Sequence, residues 1–65
     1  MPSAAIASTR YDESSNTLVV VFRSGRVYRY YAVPAAVHRE LEAAPSKGRF
    51  FNEVIRPRYP CDRVR

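Results

Sequence analysis

Residues 17–31, TLVVVFRSGRVYRYY, decide the fold. Thr17 to Phe22 are almost all β-branched or aromatic, the composition of a pleated strand. Arg23-Ser24-Gly25 interrupts them before the run from Arg26 to Tyr31 resumes with VYRYY. Two strands this close in sequence form an antiparallel hairpin, and the length of its turn settles which side chains share a face. A three-residue loop, a type I turn closed by Gly25 in the left-handed region, pairs Phe22 with Arg26, Val20 with Tyr28 and Leu18 with Tyr30. Leu18, Val20, Phe22, Tyr28 and Tyr30 then form one apolar face. A two-residue Ser24-Gly25 loop sets Val20 opposite Arg29 and scatters charge over both faces, because a one-residue slip moves every side chain across the sheet. The three-residue loop is therefore the expected one.

Upstream of the hairpin, Ile6 to Tyr11 reads as a first strand of mixed Ala, Ser and Thr character. The polar run Asp12-Glu13-Ser14-Ser15-Asn16 that follows is a turn by composition. Downstream, Val33-Pro34 ends the third strand and opens a helix, proline being favoured at a first helical position. Val37, Leu41 and Ala44 recur there at i, i+4 and i+7 as one narrow apolar stripe. Pro45 stops this helix. Ser46 is a good N-cap for a second one running to Ile55, with Phe51, Val54 and Ile55 turned inward and Phe50 at the border. The remainder, RPRYPCDRVR, carries two prolines and four arginines and reads as an extended, partly mobile tail. The expected architecture is α+β, a three-stranded antiparallel meander followed by two short helices packed on one face. Residues 1–56 make the single domain and 57–65 the basic tail.

With 65 residues, the chain makes one domain at most. A chain this short buries only roughly 60% of the surface its unfolded form exposes, and its core seldom supplies more than about 3–5 kcal/mol of net stability. A deep enzyme pocket does not fit in it. The single cysteine, Cys61, has no partner for an internal bridge, so the fold rests on aromatic and β-branched packing, on a partner chain, or on both. The opening MPSAAIASTR lacks the basic and apolar regions of a secretory signal, and the longest apolar run, Leu18 to Phe22, is far too short to span a membrane. The expected location is the cytoplasm, without membrane association.

Eleven Lys plus Arg stand against six Asp plus Glu, a formal charge of +5. After Pro45 the bases are Lys47, Arg49, Arg56, Arg58, Arg63 and Arg65, against only Glu53 and Asp62. Such asymmetry concentrates polyanions near the surface and points to an anionic partner. An ordinary solvated basic surface is the plainer alternative.

The blocks SAAIASTRYD, TLVVVF, VYRYY after a glycine, VP, and PSKGRFFNEVI follow one another at compact spacing along nearly the whole chain. In this order they resemble the KTSC family, a short domain named for its place at the C-terminus of some lysyl-tRNA synthetases and also found alone in small bacterial and phage proteins. The YxY pair of that family corresponds to Tyr28 and Tyr30, and its small-residue turn to Ser46-Lys47-Gly48. The chain departs from the pattern at Pro45, where alanine is expected, and at Val19 and Val21, where a charged residue would be unremarkable. The family carries no assigned activity, and the resemblance implies RNA binding through the synthetase association.

Each candidate residue has a bland and a functional reading. Tyr28 and Tyr30 share the face of Leu18, Val20 and Phe22, which makes core packing the first expectation and base stacking the second. Arg29 and Tyr31 fall on the opposite, open face, where Tyr31 is the better stacking platform. Ser46-Lys47-Gly48 opens a helix, so free N–H groups, Lys47 and Arg49 together favour a phosphate; a simple cap is the compatible alternative. Arg56, Arg58, Arg63 and Arg65 form either an electrostatic arm or a solvated tail. His38 stands alone on its helix as a surface histidine, with no second ligand at metal spacing. Glu40 and Glu42 lie two apart and do not face each other, and Cys61 has neither a positioned histidine nor a CxxC partner. No enzymatic, metal, cofactor or small-molecule site is expected. The leading expectation is a nucleic-acid-binding module that holds RNA through Arg29, Tyr31, Lys47, Arg49, Arg56 and Arg58. The alternative is a protein-interaction module or homodimer that uses Val19, Val21 and Val27 on the open face.

Overall fold

The computed structural model describes residues 6–64. Residues 1–5 at the start of the expected domain, and Arg65 of the expected arm, lie outside them. Along the chain run β1 (Ile6–Asp12), β2 (Thr17–Phe22), β3 (Val27–Tyr30), α1 (Ala35–Ala43), α2 (Lys47–Phe50), a π-helical turn (Phe51–Ile55) and β4 (Cys61–Val64). The strands form one antiparallel sheet in the order β1-β2-β3-β4. The expectation of three strands is thereby corrected. Cys61–Val64, read from sequence as part of the basic tail, pairs along β3 because the prolines that punctuate the segment precede the strand and leave its own N–H groups available.

The hairpin between β2 and β3 has the expected register. Leu18 lies opposite Tyr30 and Val20 opposite Tyr28. The Phe22 N–H donates to the Arg26 carbonyl at 2.9 Å, and the Gly25 N–H donates to the Phe22 carbonyl at 2.9 Å. Gly25 has φ +95°, a conformation in which a β-carbon is strained even though nothing lies within 4 Å of where it would stand. At the other end of β2, the Asp12 carboxylate accepts from the Ser14 hydroxyl and N–H at 2.7 and 3.0 Å, and Asn16 takes φ +55° to complete the turn.

Ala32 turns the chain out of the sheet. Its φ of +60° is unfavourable for alanine and is held by its neighbours: the Tyr31 N–H donates to the Pro60 carbonyl and the Val33 N–H to the Asn16 carbonyl, both at 2.9 Å. Pro34, expected as the first helical residue, is the cap one position earlier. Its ψ of 152° is extended, while its carbonyl accepts from the Val37 and His38 N–H groups. The Ser46 hydroxyl caps α2 as expected, accepting from the Arg49 N–H at 3.3 Å. The second helix is not uniform, since after Phe50 it widens into the π turn, closed by the Arg56 N–H on the Phe51 carbonyl at 2.9 Å.

The helices cover one face of the sheet. Leu18, Val20, Val33, Leu41 and Ile55 are completely buried, with Tyr30 and Phe51 only 4% and 3% exposed. Phe51 stands edge-to-face against both Tyr30, with centroids 5.3 Å apart, and Phe22, at 5.7 Å. Tyr28, Val37 and Phe50 pack around this cluster, while Val54, expected inside, is only half-buried. On α1, His38 is half-buried and not a simple surface residue. It stacks on Tyr11 of β1 at 4.6 Å and 10°, and the Tyr11 hydroxyl donates to the Val33 carbonyl at 2.6 Å.

Two substitutions check this frame. Gly25→Val is expected to cost about 1–3 kcal/mol, the strain of a β-branched residue at positive φ, with Gly25→Asn milder. Phe51→Ala is expected to cost about 3–5 kcal/mol, enough to unfold a domain of this size. Urea titration followed by circular dichroism measures both, and a Phe51→Ala protein that melts like the parent would remove Phe51 from the core.

Candidate nucleic-acid interface

Strand alternation divides the expected RNA-binding residues between two faces. Arg29 and Tyr31 lie with Val19, Val21 and Val27 on the face that no described helix covers. Lys47 and Arg49 belong to α2, and Arg56 and Arg58 follow the π turn, so all four lie on the side of the sheet that carries the helices. The six do not form one continuous patch.

On the open face, β4 changes what Arg29 and Tyr31 offer. Asp62 lies directly opposite Arg29. Its carboxylate accepts from Arg29 Nε at 3.3 Å and from the Tyr31 hydroxyl at 2.9 Å. The Arg29 guanidinium also stands 6.0 Å from the centre of the Tyr31 ring. The hydrogen bond to Asp62 is the main reason the Tyr31 phenol holds its proton above the ordinary range. Both residues are thus held in place, and the Arg29 charge is compensated. The sequence reading placed these two side chains on the open face but missed Asp62, because a four-residue strand with two charges and no clear alternation gives no strand signal.

On the helix side, Lys47 and Arg49 sit on the first turn of α2, and the Arg49 guanidinium donates to Glu53 at 3.0 Å. Both members of that pair are well exposed, so it contributes little to stability and opens readily to a competing anion. Arg56 and Arg58 are exposed, and among the described residues neither has a carboxylate within ion-pair distance. The family-motif tyrosines also lie on this side. Tyr30 is buried in the core, and Tyr28 is half-buried against Phe22. Burial first, and then a hydrogen bond with the Cys61 thiol, push the Tyr30 phenol up to about 12, while Arg56 pulls the other way.

Four of the six acidic residues lie on the β1–β2 turn and α1, with Arg10 and Arg39 among them. Asp12 and Glu13, in the β1–β2 turn, adjoin His38 of α1, the helix that also carries Glu40 and Glu42. Glu42 accepts from Thr9 Oγ1 at 3.1 Å and lies 3.6 Å from His38 Nε2, so its charge serves the contact between α1 and β1. Arg26 at the hairpin escaped the sequence reading as a site, and Arg63, there part of the C-terminal arm, lies on β4; the β3–β4 pairing brings the two together. Among the described residues no group of His, Cys, Asp and Glu can hold a metal ion, and no helix is long and apolar enough to cross a membrane.

A family model described as KTSC domain matches residues 2–59. A lysine–tRNA ligase of Trichormus variabilis is 39% identical over 91% of the chain, which corresponds to 10% of the ligase. The chain thus spans about a tenth of the length of that relative. An uncharacterized protein of Stutzerimonas stutzeri is 42% identical over 91% of the chain and 83% of its own length. Among solved structures, a KTSC domain protein from Yersinia pestis superposes with a TM-score of 0.92 at 35% identity, covering 100% of this chain and 92% of that one.

The two shifted phenols can be read by alkaline titration of phenolate absorbance. Tyr30 is expected to ionise near pH 12, and Tyr30→Phe to remove that late step. Because the fold favours the protonated phenol, the stability it contributes is intact below about pH 10 and is lost as the pH rises toward 12. Asp62→Asn is expected to let Tyr31 ionise earlier than in the parent, and an unchanged Tyr31 midpoint would exclude Asp62 as the cause.

Proposed function

Since the chain belongs to the KTSC domain family, which occurs both as small separate proteins and as a tenth of lysine–tRNA ligases, we propose that it is a non-enzymatic accessory module that binds RNA. The observation that carries this reading is the uneven distribution of charge. Four of the six acids lie on the β1–β2 turn and α1 with only Arg10 and Arg39 beside them, while Lys47, Arg49, Arg56, Arg58, Arg26 and Arg63 occupy the hairpin, α2, the π-turn exit and β4 with only Glu53 and Asp62. A field of this kind steers polyanions and holds phosphates without reading bases. RNA is favoured over DNA because, among the described residues, no helix of usable length is free to enter a major groove. The presence of this domain within a ligase whose name carries tRNA is in keeping with that choice. Arg29 and Tyr31 on the open face are available to an unpaired base once Asp62 releases them. The cytoplasm is the corresponding location.

A specific observation favours a second reading. Val19, Val21 and Val27 are joined on the open face by Val64 of β4, all half-buried and covered by no described element. A face of this kind suits a protein partner or a second copy.

Fluorescence anisotropy with a short mixed-sequence single-stranded RNA, repeated over a range of salt, separates the two. Three or four phosphate contacts predict a slope of log affinity against log salt of about −2 to −3, from roughly 0.7 per contact. Tyr31→Ala is expected to weaken binding by at least about fivefold if the ring stacks on a base. Absence of binding at low salt, together with concentration-dependent association in sedimentation, would favour the valine face and overturn the RNA reading.

A further inference from the structure

The pairing of β4 with β3 creates an arrangement that neither segment has alone. Arg63 lies directly opposite Tyr28, so its side chain shares the helix-side face of the sheet. Arg26, two residues before Tyr28, falls on the same face one diagonal step away. The two arginines, with Ser24, Gly25 and Val64, line a shallow depression of about 540 Å³ at the hairpin end. Two residues back along β4, roughly 7 Å away by strand geometry, Cys61 lies opposite the buried Tyr30.

Arg26 and Arg63 therefore stand together at the hairpin end of the helix-side margin of β3 and β4. Among the described residues neither has a carboxylate within ion-pair distance. The acid nearest in sequence, Asp62, is turned to the other face, where Arg29 and Tyr31 occupy it. Guanidinium groups held side by side on a rigid sheet repel one another, and a bound anion with several acceptor oxygens relieves that repulsion while satisfying the fork of donors that each presents.

We infer that Arg26 and Arg63 form a phosphate-binding strip at the hairpin end of the β3–β4 margin. On the reading of the preceding section, which this inference deepens, the strip holds the RNA backbone. It differs from the α2 start that the sequence favoured, where an anion must first displace Glu53 from Arg49; Arg26 and Arg63 have no such competitor among the described residues.

Two measurements on the whole chain test it separately from the RNA reading. In the first, inorganic phosphate is titrated at low salt while the arginine Nε–Hε signals are followed by NMR. Saturable shifts at Arg26 and Arg63, with Arg39 unmoved, are expected. Shifts spread evenly over all arginines, or absent from these two, overturn the strip. In the second, the Arg26→Ala and Arg63→Ala double variant is compared with the Lys47→Ala and Arg49→Ala double variant in the RNA assay. The first pair is expected to lose at least about tenfold in affinity, the scale of one charge-assisted contact, and the second pair less. RNA binding unaffected by the first pair overturns the strip and leaves the RNA reading standing. Phosphate shifts at the strip with no RNA binding by the parent uphold the strip and overturn the RNA reading.

Discussion

The β2–β3 turn is the constraint on which the rest of the structure depends. Three residues long and closed by Gly25 at φ +95°, it sets Leu18 against Tyr30 and Val20 against Tyr28. Strand side chains alternate, so this one register collects Leu18, Val20, Phe22, Tyr28 and Tyr30 on a single face. The core that α1, α2 and the π turn complete is the shape of that face: Phe51 fits edge-on between Phe22 and Tyr30 because those rings are presented together. A shift of one residue would put arginines under the helices, where so small a domain has no stability in reserve to desolvate them.

The fourth strand decides the electrostatics. Cys61–Val64 contributes little to the core, but its alternation sends Asp62 to one face and Arg63 to the other. Asp62 compensates Arg29 and fastens Tyr31, which quietens the face that looked most available for a base. Arg63 adds positive charge beside Arg26 on the other face. The same four residues extend the valine stripe through Val64. One short strand thus changes the character of both sides of the sheet.

On the proposed reading the domain works through the positions of its charges. The buried set is wholly apolar or aromatic, and among the described residues its buried polar side-chain atoms are all partnered. His38 and Glu42, the side chains closest to an acid-base pair, are used to fasten α1 to β1 through Tyr11 and Thr9. The remaining features are a polarised surface and a half-covered sheet. Both suit an accessory module, whether alone or as a tenth of a larger enzyme.

Much of this was legible in the sequence because it rests on local rules. The β-branched run at Thr17–Phe22, the glycine that positive φ demands, the serine that caps α2 and the inward turn of Phe51 each depend on residues within a few positions of one another. The resemblance carried by VYRYY and PSKGRFFNEVI is of the same kind, and the family model confirms it. Non-local pairing was not legible. CDRV has no strand signature of its own, and it becomes a strand because β3 leaves an edge with unpaired N–H and carbonyl groups to be satisfied. Nor does charge along the chain tell which arginines are compensated, since Arg29 and Asp62 are far apart in sequence and adjacent only across the sheet. By itself the sequence determined the hairpin, its register and the core-facing residues of the sheet, whose physics is steric and local. Only the tertiary structure decided which charges stand free, because that depends on which acid the fold brings within a few ångströms of each base.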